Sequence, residues 1–273
     1  METVFLKVAL AAYLLGTVSF VVNVVRPQAG LRRLCPLLLL GGFAAHLAAI
    51  LSRWHAAGYF AVTNFYEGLS LFACLTVGLY LLVQQRYHLT VLGAVVSPLA
   101  FVLTLAAFIF YRGVAELPQN LKSQWLFPLH ITSAFLGNAV FALAFSTSLL
   151  YLVQESELKG KKRRGVFRHL PSLETLDELN YRALNWGFVL LTLGIVTGSL
   201  WAELSWGRFW SWEPRLVLSA LTWTLYALLL HYRSVGWQGK RAARLTIFCF
   251  VILLVSYVTV NLFLPGRHGG EFG

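Results

Sequence analysis

Eight apolar stretches, each close to the length of a bilayer-crossing helix, leave this 273-residue chain little choice of environment. They read as residues 3–25, 34–52, 67–84, 89–110, 128–153, 183–204, 214–233 and 242–263. A helix rises roughly 1.5 Å per residue, so about 20 apolar residues cross the ~30 Å hydrocarbon layer. Within that layer backbone groups find no water, so the spanning elements must be helices or a closed barrel. Runs of this length, rather than alternating strands of about 10 residues, select helices. A content of 58% hydrophobic against 12% charged residues excludes an ordinary soluble domain. The expectation is an all-α, polytopic integral membrane bundle of about eight transmembrane helices. Pro128 and Pro214 fall where proline suits a first helical turn. No Gly/Ser linker or long polar insert divides the chain, so residues 1–273 are expected to form one membrane domain.

The net charge of 22 − 11 = +11 would point to nucleic acid in a soluble protein. Here the cations lie between the apolar runs, and topology explains them better. Arg26, Arg32, Arg33, Arg86, the run from Lys159 to Arg168, Arg233, Lys240 and Arg241 fall in alternate connections. The other connections hold far less, chiefly Arg53, Arg112, Lys122, Arg208 and Arg267. The bias towards cytoplasmic cations places both termini, and the loop around residue 210, outside. The N-terminus has no basic leader region or convincing small-residue cleavage site, so residues 3–25 are read as a retained span. Residues 171–179, with Leu173, Leu176 and Leu179 at helical spacing, read as a short N-capped helix able to lie on the inner surface. Cys35, Cys74 and Cys249 stand singly in apolar runs, which offers no thiol pair for redox or zinc chemistry.

Five of the nine tryptophans lie between Trp201 and Trp223, and the middle of that stretch reads Trp206-Gly207-Arg208-Phe209-Trp210-Ser211-Trp212-Glu213-Pro214. An interfacial belt of aromatic anchors accounts for some of these indoles. It does not account for the glycine or the tight spacing, which suit a shaped aromatic surface lying against a flat apolar ligand such as a porphyrin. His130 and His268 flank this loop on the same side of the membrane, and two neutral imidazoles can fill both axial positions of a haem iron. Each alone reads equally as a surface histidine. His231 ends the seventh span near the inner surface, and His46 lies within the second. An ionisable group inside a span is a functional candidate, with a hydrogen-bonded structural histidine as the alternative. Arg208, Arg215 and Arg267 supply guanidinium forks suited to porphyrin carboxylates. Glu213 before Pro214 fits a helix start, where its charge meets the positive dipole end. No arrangement of Ser/His/Asp or paired carboxylates indicates hydrolysis, and no catalytic residue is assigned.

The tryptophan segment resembles the WWD signature of haem-handling proteins, and the chain is similar to the CcsA/ResC family of System II cytochrome c biogenesis. Asn64-Phe65-Tyr66-Glu67-Gly68-Leu69, the run from Pro171 to Trp201, Leu230-His231-Tyr232-Arg233 and Val260 to His268 carry the likeness, which is clearest over residues 40–268. The chain departs from the motif at Glu213, where the family has Asp, and at Arg215-Leu216, where it has Lys-Glu. The resemblance implies a haem b group bound outside by Trp206, Gly207, Arg208, Trp210, Trp212 and Glu213, with His130 and His268 as axial ligands. It also implies an inner haem site at His231. Implied partners are a CcsB/ResB-like membrane protein, an apocytochrome c bearing CxxCH, and a thiol-reducing thioredoxin-like protein, in a bacterial plasma membrane. The function implied is to hold reduced haem and present it for thioether attachment. A HemX-like regulator of haem synthesis would use the same scaffold. An electron carrier of the cytochrome b kind would want a second facing histidine pair.

Overall fold

The computed structural model describes residues 1–114, 125–160 and 171–264. Eight long helices account for most of them: α1 (Glu2–Val25), α2 (Ala29–Ala57), α3 (Phe65–Tyr87), α4 (Gly93–Ile109), α5 (Leu126–Lys159), α6 (Leu173–Trp206), α7 (Pro214–Ser234) and α8 (Lys240–Leu262). A single 3₁₀ turn at Thr90–Leu92 precedes α4, and no strand occurs among the described residues. Each apolar run read from the sequence corresponds to one long helix, although the run 89–110 takes in the 3₁₀ turn as well as α4. The three cysteines are buried as free thiols.

Seven helices are long and apolar enough to cross a membrane, and α7 alone falls short on apolarity. Arg215, His231 and Arg233, with several Ser and Thr residues, dilute it. Its geometry restores it to the set. Arg233 near its end is salt-bridged to Asp177 near the start of α6 at 2.7 Å, while its start follows the end of α6 by a short loop. The helix therefore runs antiparallel along α6, and 21 residues at roughly 1.5 Å each cover about the hydrocarbon thickness. The chain is a multi-pass helical membrane protein.

The sequence reading of residues 171–179 needs correction. They do not form a separate surface helix but are the first turns of α6, which runs unbroken for 34 residues. Ser172 caps it, its hydroxyl accepting from the Thr175 N–H at 3.1 Å. The cause is packing beyond the expected span. Leu176 is fully buried with Leu150 and Tyr80, and the Asn180 amide donates to the Ala144 carbonyl and the Ser148 hydroxyl of α5, each at 2.9 Å. Helix α5 extends equally far, also 34 residues, so the two form the long antiparallel pair on which the rest is assembled. Gly194 of α6 meets the backbone of Ala134, where an added Cβ would lie about 3.0 Å from the amide nitrogen. Small residues at such crossings let membrane helices approach closely.

Polar ties close both ends of the bundle. At one end the Glu67 carboxylate takes the Arg53 guanidinium at 2.5 Å, and Arg53 also reaches Glu2 at 3.1 Å. At the other, Asp177 holds Arg233 and accepts from the Gly239 N–H at 3.0 Å. Arg233 also lies over the Tyr181 ring, 4.9 Å from its centre.

Candidate functional site

A cavity of about 270 Å³ opens between α5 and α6 on one side and α7 and α8 on the other. It lies in the half of the bundle that holds Arg53 and Glu67, because Val62, Thr63, Asn64 and Gly68 form part of its wall. Along α5 the wall runs from Phe127 to Asn138, about 16 Å at the helical rise, so the space is a cleft that enters the membrane zone.

His130 stands on this wall in the second turn of α5. Its Nδ1 lies 2.7 Å from the Gly194 carbonyl oxygen of α6. A carbonyl only accepts, so Nδ1 carries the proton and Nε2 keeps its lone pair. Sequence dictates this seat: a Cβ at Gly198 would lie about 2.5 Å from Nδ1, and no other residue leaves room for the ring. The imidazole is thus fixed in orientation and tautomer, the arrangement in which outer hydrogen bonds prepare a histidine for a metal.

The tryptophan loop caps the same cleft. Helix α6 ends at Gly207, whose φ of 68° turns the chain left-handed while its N–H donates to the Glu203 carbonyl. The chain re-enters helix at Pro214 in the first turn of α7, with Glu213 at the N-cap position. Between these ends Trp210 lines the cavity, and Trp212 meets it edge to face at 5.9 Å, with ring planes at 90°. The two indoles therefore do not make one flat face. Trp210 is the cavity residue, and Trp212, 84% exposed, braces it from outside. Arg208 and Phe209 are exposed beside them. The Trp206 side chain and His268, with Arg267, lie outside the described residues.

The other tryptophans of the cluster serve packing. Trp201 is buried against Phe127 at 5.4 Å while lining the cavity, and the Trp223 indole donates to the Thr192 hydroxyl at 2.9 Å. Arg215, in the first turn of α7, also reaches the wall and donates to the Asn261 side-chain oxygen at 2.9 Å. Asn261 is itself oriented by donating to the Tyr257 carbonyl at 2.7 Å.

The remaining histidines stand apart. His46 is wholly buried between α1 and α3, with its two ring nitrogens at 3.3 Å from the Tyr13 hydroxyl and 2.9 Å from the Ser70 hydroxyl. Both nitrogens are engaged, which favours the structural alternative for this residue. His231 is exposed on α7 beside Tyr232, about 24 Å along the helix from Arg215. Sequence reasoning missed Asn64, Asn138, Tyr257 and Asn261 as cavity residues; for Asn64 and Asn261 the signal was their place inside the family-like segments. No cluster of three or more His, Cys, Asp or Glu suited to a metal ion occurs among the described residues.

Fold and cleft together define a polytopic helical membrane protein with an apolar cleft at one end of the bundle. The chain belongs to the cytochrome c assembly protein family, whose model matches residues 62–268. It is 31% identical to the cytochrome c biogenesis protein CcsA of Porphyra purpurea, over 88% of this chain and 87% of that one. It is 32% identical to the CcsA proteins of Chlamydomonas reinhardtii and Synechococcus sp. (strain CC9605), covering 73% and 81% of those chains and 95% and 81% of this one. Among solved structures the chain is similar to cytochrome c haem lyase CcmF, with a TM-score of 0.66 at 18% identity. That alignment covers 99% of this chain but only 47% of CcmF, so the chain spans about half the length of that protein.

Proposed function

We propose that this chain is the haem-handling subunit of a System II cytochrome c synthase. Haem b is its cargo, held at the cleft and presented to the CxxCH cysteines of an apocytochrome c. The observation that carries the reading is the His130 seat, where Nδ1 is tied to a backbone carbonyl at 2.7 Å and Nε2 keeps its lone pair, on the wall of a mostly apolar cleft. His268 supplies the second axial nitrogen in this reading. A volume of about 270 Å³ is below the roughly 300–1,000 Å³ of pockets that engulf a small ligand. A porphyrin would therefore be gripped along part of its area and left partly outside, which suits a group that must be handed over.

The chain's own residues have limited chemistry to perform. His130 holds iron, Trp210 packs on the macrocycle with Trp206 and Trp212 around it, and Arg215 and Arg208 pair with its carboxylates. Glu213 starts α7 so that Arg215 is delivered to the cleft, and Gly207 turns the loop over its mouth. When bound, the cargo supplies the vinyl groups that the cysteine thiols attack. The protein's contribution is proximity and orientation. Residues 1–273 act as one unit in a bacterial plasma membrane, with both termini and the tryptophan loop outside. A CcsB/ResB-like protein and a thioredoxin-like thiol reductant complete the system. His231 marks an inner haem site from which the cargo departs.

Membership of an assembly family weighs against the HemX-like alternative, and the test is a requirement for c-type cytochromes. Deleting the gene is expected to abolish covalently attached haem on gels stained for it, whereas a regulator would change haem synthesis and spare attachment. Tryptophan substitutions test the site itself. Trp210→Ala removes the ring contacts this indole would make with a bound macrocycle, on the order of 1–3 kcal/mol, or about ten- to a hundredfold in haem affinity. Trp212→Ala is expected to cost less, since that ring is mostly exposed. Trp237, which stacks on Tyr232 at the far end, is expected to be dispensable. Equal haem content per folded protein in all three variants would return these indoles to a membrane-anchoring role.

A further inference from the structure

The cleft has one wall that is not helical. Residues 58–64 connect α2 to α3 in extended and turn conformations, yet Val62, Thr63 and Asn64 line the cavity. Such a segment does not hold its own shape, so something must hold it. Trp54 of α2 donates its indole N–H to the Ala61 carbonyl at 3.3 Å. The stronger tie is Glu67. One carboxylate oxygen accepts from the Thr63 N–H at 2.6 Å, the Thr63 hydroxyl at 3.0 Å and the Asn64 N–H at 3.3 Å. The Asn64 side chain returns the bond, accepting from the Glu67 N–H at 3.0 Å, which completes a capping box at the start of α3.

A capping glutamate is ordinarily a surface residue, but Glu67 is 3% exposed. Its other oxygen takes the Arg53 Nε at 2.5 Å, and Arg53 spends its remaining donors on Glu2 at 3.1 Å and on the Gly113 carbonyl at 2.9 Å. The guanidinium also lies over the rings of Tyr66 and Tyr111, 4.9 and 5.8 Å from their centres. The Tyr66 hydroxyl closes the circuit on Glu2 at 2.6 Å. Four parts of the chain thus converge on one ion-pair network, and the end of that network is the cavity wall.

We propose that the Arg53–Glu67 pair is a positioning device for the haem cleft: it fixes the non-helical wall at residues 62–64, so the grip on the cargo depends on charges that never touch it. This rests on the haem-handling reading above. The bundle contains its own control. Asp177–Arg233 is a second ion pair of similar kind, with Arg233 8% exposed, and none of Asp177, Arg233 or Gly239 lines the cavity.

The experiment loads purified full-length wild-type, Glu67→Gln and Asp177→Asn proteins with haem and follows its transfer to excess apomyoglobin, beside the melting temperature of each. Both variants are expected to melt lower than wild type. Glu67→Gln is expected to release haem about tenfold faster, equivalent to about 1.4 kcal/mol of lost grip. Asp177→Asn should release it within about twofold of wild type. If both variants release haem alike, or both at the wild-type rate, the pair is only a stabilising tie and the proposal is overturned. Should Glu67→Gln not fold, Thr63→Val removes a single hydroxyl bond to the same carboxylate and is expected to speed release severalfold; a wild-type rate there overturns the proposal equally. A wild-type protein that retains no haem would instead refute the haem reading itself, and this inference with it.

Discussion

Cells that depend on a His130→Ala variant are expected to lose at least about nine-tenths of their mature c-type cytochrome. Disturbing an outer-shell partner of a metal ligand costs roughly ten- to a hundredfold in affinity, and removing the ligand costs no less. Added imidazole should restore part of the loss, because the seat formed by Gly194 and Gly198 stays open when the ring is removed. The fold should survive, since His130 is only half-buried and its tie to α6 is a hydrogen bond to the Gly194 carbonyl. Haem-stained gels of membranes, with and without imidazole and normalised to the amount of variant protein, measure this. Normal cytochrome yield from His130→Ala would remove the histidine from the site.

Arg53→Ala is expected to give the largest loss of stability. It leaves Glu67 buried at 3% exposure with no cation, and Glu2 without its guanidinium. Breaking one partner of a buried pair costs about 3–5 kcal/mol, a large part of the roughly 5–15 kcal/mol that holds a domain folded. The Gly113 carbonyl and the face of Tyr66 lose their partner as well. Low membrane abundance and a lowered melting temperature in detergent are the expected outcome. Replacing both charges, as in Arg53→Met with Glu67→Gln, should recover part of the loss because no lone buried charge remains. A variant as abundant and as heat-resistant as wild type would show that the network carries little of the fold.

The residues of that network also show where sequence reading ends. Arg53 counts, in sequence, as a cation in a sparse outer connection, and Glu2 merely precedes the first apolar run. Only folding brings positions 2, 53 and 67 together, because no periodicity links charges from three helices. Asp177 and Arg233 are alike: one reads as the polar face of a surface helix and the other as a topology charge, yet they staple α6 to α7. By contrast the spans themselves are legible, since every long helix is announced by its apolar run. Their lengths are less so. Helices α5 and α6 exceed their apolar runs because Leu176 and Asn180 continue the packing beyond them.

The site is legible in part for the same reasons. His130, Gly207 and Trp210 stand in a local motif or at a helix end, and the structure brings His130 and Trp210 to one cleft. What sequence does not reveal is why His130 is suited to a ligand, because Gly194 and Gly198 lie more than sixty residues away. Nor does it show that Trp210 and Trp201 line the cleft, Trp201 also packing on Phe127, while Trp212 braces Trp210 and Trp223 packs between helices.

The absorbance spectrum of the purified protein tests the central claim most directly. Wild-type protein, prepared alone or co-expressed with a CcsB-like protein, should carry haem with the sharp reduced bands of a low-spin, bis-imidazole iron. His130→Ala should lose those bands, retaining less than about a tenth of the haem per folded protein, and should recover a low-spin spectrum in imidazole. A wild-type protein free of haem, or a His130→Ala protein with an unchanged spectrum, would contradict it.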